Sequence, residues 1–172
     1  GGIMLDVEIN FKDMKISGVE EKDLIGIQKW MEANKVFLKE ESTLEELKNR
    51  FLESYISECE FFFKIEKSEK LSGILKGRIE FKKQNELWIW FFYLDNICNN
   101  EDLRSGIINY LMNYFNRRYG VDTFFARVIK DETNNIVFWK NIGFNLIRIV
   151  KNFYNVNGKH IDMMLMKKVG VS

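Results

Sequence analysis

The sequence contains no proline and only one histidine, His160. Average usage would place about eight or nine prolines in a chain of this length, so its loops must be punctuated by Gly, Asn, Asp and clusters of charge instead. Two cysteines, Cys59 and Cys98, are too few for a disulfide framework or a Cys-rich zinc site. With a single histidine, a His/Cys metal cluster and any two-histidine mechanism are excluded as well. No apolar run approaches the roughly 20 residues that cross a bilayer, and Gly1-Gly2-Ile3-Met4 lacks both the basic and the apolar segment of a secretory leader. The expectation is a cytoplasmic protein with no membrane contact. An excess of one charge is missing too: 26 Lys and Arg stand against 25 Asp and Glu, a net charge of +1, which leaves no overall electrostatic footprint for nucleic acid.

What is present is a packed core in prospect. Of the 172 residues, 46% are hydrophobic and 30% charged, enough apolar surface to offset chain entropy and too little length for two cores. The chain reads as one domain over residues 1–172, with 1–5 set aside as an added or disordered leader. Met14 to Val19 is a short strand, followed by the acidic helix opening Glu20-Glu21-Lys22-Asp23. A helix over about 23–34 carries Leu24, Ile27, Trp30 and Met31 at helical spacing. Ser42-Thr43-Leu44-Glu45-Glu46 offers a capping box for a second helix over about 44–57, with Leu44, Leu47, Phe51, Leu52, Tyr55 and Ile56 as its apolar stripe.

The period then changes to two. Segments 61–66, 71–81 and 86–94 form an antiparallel meander, with Gly73 and Gly77 marking bulges or close backbone approach. The third of these strands, Leu87 to Tyr93, is apolar on both faces and is expected at the sheet centre. A helix from Leu103 to Tyr119 ends at Gly120; a strand over 123–129, a helix over 134–141 closed by Gly143, and a hairpin of 144–154 with 160–168 complete the order β-α-α-β-β-β-α-β-α-β-β.

The informative stretch is Asp95 to Phe144, where a buried strand leads through a polar loop to a helix start bearing Gly106, a place where a phosphate can approach free N–H groups and the positive end of the helix dipole. Leu103-Arg104-Ser105-Gly106-Ile107-Ile108 falls on one family motif, Gln/Arg-x-x-Gly-x-Gly/Ala, and Ile136 to Phe144 looks like a second, apolar-Phe-Tyr-x-x-x-Gly-Phe. With these motifs and this element order the sequence resembles the GNAT superfamily of acetyl-coenzyme A-dependent N-acetyltransferases. Its closing strands, 151–154 and 159–166, look like the branch that acetylates ribosomal-protein N termini and spermidine.

The resemblance implies an α/β (α+β) fold with a mixed, mostly antiparallel central sheet flanked by helices. It also implies coenzyme A in a V between the third and fourth core strands, with its pantetheine amides pairing near Ile97 and Cys98 and its pyrophosphate on the N–H groups of Arg104 to Ile108. The cofactor-binding set it implies is Ile97, Cys98, Leu103, Arg104, Ser105, Gly106, Ile107, Ile108, Asn134 and Trp139. Direct attack of an amine on the thioester makes catalysis a matter of positioning and proton handling, for which Tyr154, Asp95, Glu86 and Tyr93 are the candidates by placement.

Three positions depart from the pattern. Leu103 replaces Gln or Arg, Ile108 replaces a small residue, and Trp139 stands where many members carry a proton-donating Tyr. The alternative they raise is a catalytically degenerate binding or regulatory module. Trp139, Trp88, Trp90, Phe91 and Phe92 also read as core, Cys98 as a small buried hydrophobe and His160 as solvated. Residues 1–86 carry a charge of −3 and residues 87–172 of +4. An acidic wall of Glu40, Glu41, Glu45 and Glu46 favours a cationic acceptor, with a solvated helix face as the plain reading. The partners expected are acetyl-coenzyme A and an amine (small amine, polyamine, aminoglycoside or peptide N terminus), together with a homodimer through the doubly apolar strand.

Overall fold

The computed structural model describes residues 7–35, 43–130, 133–156 and 158–171. The strands are β1 (Glu8–Phe11), β2 (Met14–Gly18), β3 (Glu60–Lys67), β4 (Lys70–Glu80), β5 (Glu86–Leu94), β6 (Thr123–Ile129), β7 (Asn145–Val156) and β8 (Lys159–Val169). The helices are α1 (Leu24–Ala33), α2 (Leu44–Ile56), α3 (Glu101–Tyr119) and α4 (Thr133–Asn141). The strands hydrogen-bond in the order β1-β2-β3-β4-β5-β6-β8-β7. This is a mixed α/β fold on a mostly antiparallel sheet, in which β5 and β6 pair in parallel.

From Met14 onward the element order is the one expected. Strand β1 is an addition: Val7 and Ile9 point inward, Glu8 and Asn10 outward, and the turn to β2 puts Lys12 at φ 55°. Its period-two signal is only four residues long, too short to stand out in a sequence. The chain divides into two compact units, 1–77 with 92–100 and 78–91 with 101–172.

In the first unit, Ile9, Met14, Ile16, Phe61, Phe63 and Ile65 are buried, the two phenylalanines stacked at 4.7 Å. Helix α1 is opened by a single turn of 3-10 helix, Glu21–Asp23, where the Asp23 carboxylate accepts the Glu20 N–H (2.8 Å) and ion-pairs with Lys64 (2.9 Å). Thr43 Oγ1 accepts the Glu46 N–H at 3.2 Å, half of the expected capping box. The expected stripe on α2 is only partly inward: Leu47 is buried, but Leu52, Tyr55 and Ile56 are 52%, 61% and 74% exposed. The inward row is instead Leu47, Phe51 and Ser54, at i, i+4 and i+7, because a polar group below α2 requires the Ser54 hydroxyl. Gly73 is a point of close approach, since a Cβ there would lie 2.6 Å from the Tyr93 carbonyl oxygen.

In the second unit, α3 buries Ile107, Ile108, Leu111, Met112 and Phe115 on one stripe. The Asn85 side chain holds the far end of α3 by donating to the Tyr119 carbonyl at 2.8 Å. Phe138 and Trp139 of α4 pack edge-on, and Trp139 packs edge-on against Phe144 at 4.9 Å. The β7–β8 hairpin turns at Gly158 (φ 80°), whose N–H meets the Asn155 side-chain oxygen.

The polar group below α2 is Lys76, a fully buried lysine in the middle of β4. Its Nζ donates to Ser54 Oγ at 2.8 Å, stands 3.7 Å from Glu60 Oε2 and lies over the Phe62 ring. Burial pushes its ammonium down to about 8 against the pull of Glu60. The unfolded chain holds that proton up to about 10.5, so between pH 8 and 10.5 it binds more protons than the folded chain, and folding stability gains as pH rises through this window. Urea titrations across that range are expected to show the rise in wild type and to lose it in the Lys76→Met/Glu60→Gln double variant. Lys76→Met alone is expected to be the least stable of the three, because it leaves the Glu60 carboxylate buried without its cation.

Candidate functional site

Strands β5 and β6 pair in parallel from Glu86↔Thr123 to Ile89↔Ala126. Beyond that point, among the described residues, Trp90 and Phe91 on one strand and Arg127 to Ile129 on the other run on without pairing to each other. Burial along β5 explains the break. It alternates through Leu87 and Ile89 and then slips by one, so that Trp90 and Phe91 are both half-buried and Phe92 is the next inward residue. A one-residue slip of this kind re-aims the strand and ends a ladder. The result is a break between the two strands, the cleft, where the β5–β6 ladder ends at Ile89 and Ala126.

Side chains gather at the mouth of this cleft. The Arg127 guanidinium lies 4.8 Å over the Trp90 ring and 5.3 Å from the Phe153 ring, and Phe153 packs edge-on against Tyr154 at 4.9 Å. A bulge in β7 between Val150 and Tyr154 sets Phe153 in place. Asn152 adopts φ 53° there, and the Asp162 carboxylate accepts its N–H at 3.0 Å and the Lys151 ammonium at 3.1 Å. These contacts hold the Asp162 carboxyl below the usual carboxylate range. In the next row, Trp88 stacks on Phe125 at 4.1 Å with Lys167 over the latter ring.

Helix α3 begins at Glu101, two residues before the expected start. Its first turn is therefore made by Glu101, Asp102 and Leu103, while the N–H groups of Ser105 to Ile108 point into the helix ladder. The expected pyrophosphate set of Arg104 to Ile108 thus lies within the first two turns of α3, after the helix start. Ile107 and Ile108 are fully buried, so the β-branched side chain of Ile108 lies in the core. Arg104 donates to the Asn135 side-chain oxygen at 2.8 Å and stacks 4.1 Å over Phe138, tying α3 to α4. Leu103, Ser105 and Gly106 are half-buried on the first turns of α3, and Asn134 lies in the first turn of α4. Trp139 is buried among aromatic rings, a packing residue.

The catalytic candidates separate. Tyr154 belongs to the cluster at the cleft. Glu86 does not: it stands at the paired end of β5, about 13 Å along the strand from Trp90, and its carboxylate is taken by Lys82 (3.0 Å) and the Trp88 indole N–H (3.3 Å). Tyr93, Asp95, Ile97 and Cys98 belong to the first unit. There Asp95 accepts the Cys98 N–H at 3.0 Å, Ile97 is 76% exposed, and burial, helped by Asp95, pushes the Cys98 thiol up, which suits an unreactive buried cysteine. Glu40 and Glu41 lie outside the described residues, and Glu45 is exposed in the first turn of α2. Arg127 and Phe153 were not anticipated. The cue was faint, a lone arginine in the otherwise apolar segment Thr123 to Ile129.

Charge separates along the same division. The unit that holds the cleft and α3 carries 14 basic and 8 acidic side chains, net +6, and the other carries 12 and 17, net −5. A cavity of about 510 Å³ lies wholly in the first unit, between Ser17–Lys22, the end of α2 and Glu60–Lys64, and includes none of the expected site residues.

No curated protein matches the sequence. Among solved structures, a ribosomal L7/L12 α-N-protein acetyltransferase in complex with coenzyme A superposes with a TM-score of 0.81 at 16% identity, covering 96% of this chain and 99% of that one. The Salmonella typhimurium acetyl transferase that modifies the N-terminal serine of 50S subunit protein L7/L12 gives 0.76 at 17%, covering 92% and 96%. The Vibrio cholerae spermidine N-acetyltransferase with coenzyme A and spermine gives 0.76 at 14%, covering 93% and 97%. The profile of the acetyltransferase (GNAT) domain matches residues 16–165, and the chain belongs to that family.

Proposed function

We propose that the protein transfers an acetyl group from acetyl-coenzyme A to a primary amine, and that the cleft where β5 and β6 stop pairing is where the transfer takes place. The observation that carries this reading is the loss of pairing after Ile89 and Ala126. A pantetheine arm is extended and carries amide donors and acceptors along its length, so it suits a place where two neighbouring strands part. When bound, acetyl-coenzyme A supplies a thioester carbonyl activated toward amines. The β5 segment of Trp90 and Phe91 orients that arm and the carbonyl it carries. As the amine nitrogen bonds to the acetyl carbon, the carbon–sulfur bond breaks, the amine gives up one proton and the departing thiolate takes one. Tyr154 is the donor assigned to the thiolate, since a phenol can donate its O–H and this one belongs to the cluster at the cleft.

The α3 end of the site is less favourable to an anion. Glu101 and Asp102 already satisfy the positive end of the helix, and both repel a pyrophosphate. Attraction therefore rests on the +6 charge of this unit. The second reading, a family member that has lost turnover, is favoured by these same two carboxylates. Isothermal titration with acetyl-coenzyme A is expected to show micromolar binding, tightening by roughly three- to tenfold in Glu101→Gln/Asp102→Asn. No heat at millimolar ligand, for wild type or variant, would overturn the transferase reading in favour of the second one. With thiol release measured over an amine panel, Tyr154→Phe is expected to lower kcat on the order of 100-fold with KM for acetyl-coenzyme A unchanged. An unchanged kcat would remove Tyr154 from the mechanism.

A further inference from the structure

We infer that Asp162 is a positioning residue for the transfer: it holds the β7–β8 hairpin in the register that keeps Tyr154 at the cleft. The inference rests on the transferase reading above and on Tyr154 as its proton donor. Between the pairs Val150↔Met163 and Tyr154↔Ile161, three residues of β7 stand opposite Asp162 alone. An unbroken ladder from Val150 would instead set Asn152 against Ile161 and Tyr154 against Lys159, carrying the phenol two positions, about 7 Å, toward the hairpin turn. The face would not change, since a shift of two keeps every side chain on its own side of the sheet. The distance to the cleft would. In the register observed, Tyr154 and Ile161 share their face with Leu165 and Arg127, and Phe153 bridges the two ends, 5.3 Å from the Arg127 guanidinium and edge-on to Tyr154 at 4.9 Å.

The bulge carries a conformational cost, and Asp162 supplies the contacts that offset it. Asn152 sits at φ 53°, a conformation that asparagine tolerates better than most residues but that glycine alone adopts freely. Asp162 Oδ1 accepts the Asn152 N–H at 3.0 Å, while Oδ2 accepts Lys151 Nζ at 3.1 Å and lies 3.7 Å from Lys130 Nζ. The Asp162 backbone carbonyl also accepts the Lys130 N–H at 3.1 Å, so this one residue of β8 ties together the end of β6 and the bulge of β7. Its side chain is only 15% exposed, and bonds made largely away from water are the stronger for it. Without the carboxylate, the straight ladder with a longer loop becomes the competing register.

The test is steady-state kinetics by thiol release at saturating acetyl-coenzyme A, on whichever of spermidine, alaninamide and a Ser-Ala-Ala peptide wild type turns over fastest. Asp162→Ala is expected to lower kcat on the order of 100-fold, as Tyr154→Phe does, with KM for acetyl-coenzyme A unchanged, because a displaced donor no longer reaches the thiolate. Asp162→Asn keeps an acceptor for the Asn152 N–H and is expected to stay within about fivefold of wild type. Asp162→Ala/Asn152→Gly lacks the acceptor but relieves the positive φ, and is expected to recover roughly tenfold of the loss. Asp162→Ala/Tyr154→Phe is expected to be no slower than Tyr154→Phe alone, since residues that act as a unit are not additive. Should Asp162→Ala fail to fold, Asn152→Val opposes the same backbone conformation from the other strand and is expected to lower kcat likewise. Wild-type kcat in Asp162→Ala or in Tyr154→Phe, a glycine that restores nothing, or losses that multiply in the double variant would overturn the assignment and leave the transferase reading in place. Absence of both acetyl-coenzyme A binding and turnover in wild type would overturn that reading and the assignment with it.

Discussion

The parallel pairing of β5 with β6 lasts four residue pairs and then stops, and the site depends on that interruption. Parallel strands in the middle of a sheet ordinarily satisfy one another along their whole length, because an unpaired backbone group away from water costs about as much as a lost hydrogen bond. Here the alternation of β5 slips at Trp90 and Phe91, while β6 stays paired to β8 as far as Ile129. The ladder between β5 and β6 ends there while the one between β6 and β8 continues. The break thus has a regular side, β6 paired to β8, and an irregular one in β5, and it is the place proposed above for an extended ligand.

Around this cleft, side-chain chemistry is organised by a second irregularity. The β7 bulge, with Asn152 at φ 53° held by Asp162, brings Phe153 onto Arg127. A bulge on a strand that closes one end of the hydrogen-bonded order also protects that edge from continued pairing. The same device therefore limits edge association and positions a ring at the cleft. Charge reinforces the arrangement, since the unit holding these residues is net positive and the other net negative. The carboxylates of Glu101 and Asp102 oppose this trend at the start of α3. Ligand affinity is then a balance between the field of a whole unit and two local charges.

Much of the fold was legible because its signals are long. The period-two run from Leu87 to Tyr93, the apolar stripe of α3 and the Gly158 turn each extend over enough residues, or use a sufficiently specific one, to fix element type and place. What was not legible depends on single steps in three dimensions. Nothing in Leu103-Arg104-Ser105-Gly106 shows that α3 starts at Glu101, because Glu and Asp suit a first turn as well as a loop. The inward place of Ser54 on α2 follows from Lys76, more than 20 residues away in the chain. Trp139 reads as core packing before cofactor contact, and its edge-on packing against Phe138 and Phe144 could not be read from the sequence. Arg127 acquires meaning only once the strands on either side are known to part. Tyr154 and Glu86 were both named from placement alone; the register puts the first beside Phe153 near the cleft and leaves the second at the paired end.

The segments of β5 and β6 beyond Ile89 and Ala126 are the surface proposed to bind the acyl donor. Amide hydrogen exchange followed by mass spectrometry, with and without coenzyme A, tests it directly, because exchange reports which backbone groups acquire partners. The expected result is added protection in Trp90–Phe91 and Arg127–Ile129, with little change in Ser17–Lys22 and Glu60–Lys64 around the separate cavity. Protection confined to that cavity, or none in the β5 and β6 segments at saturating ligand, would contradict the account.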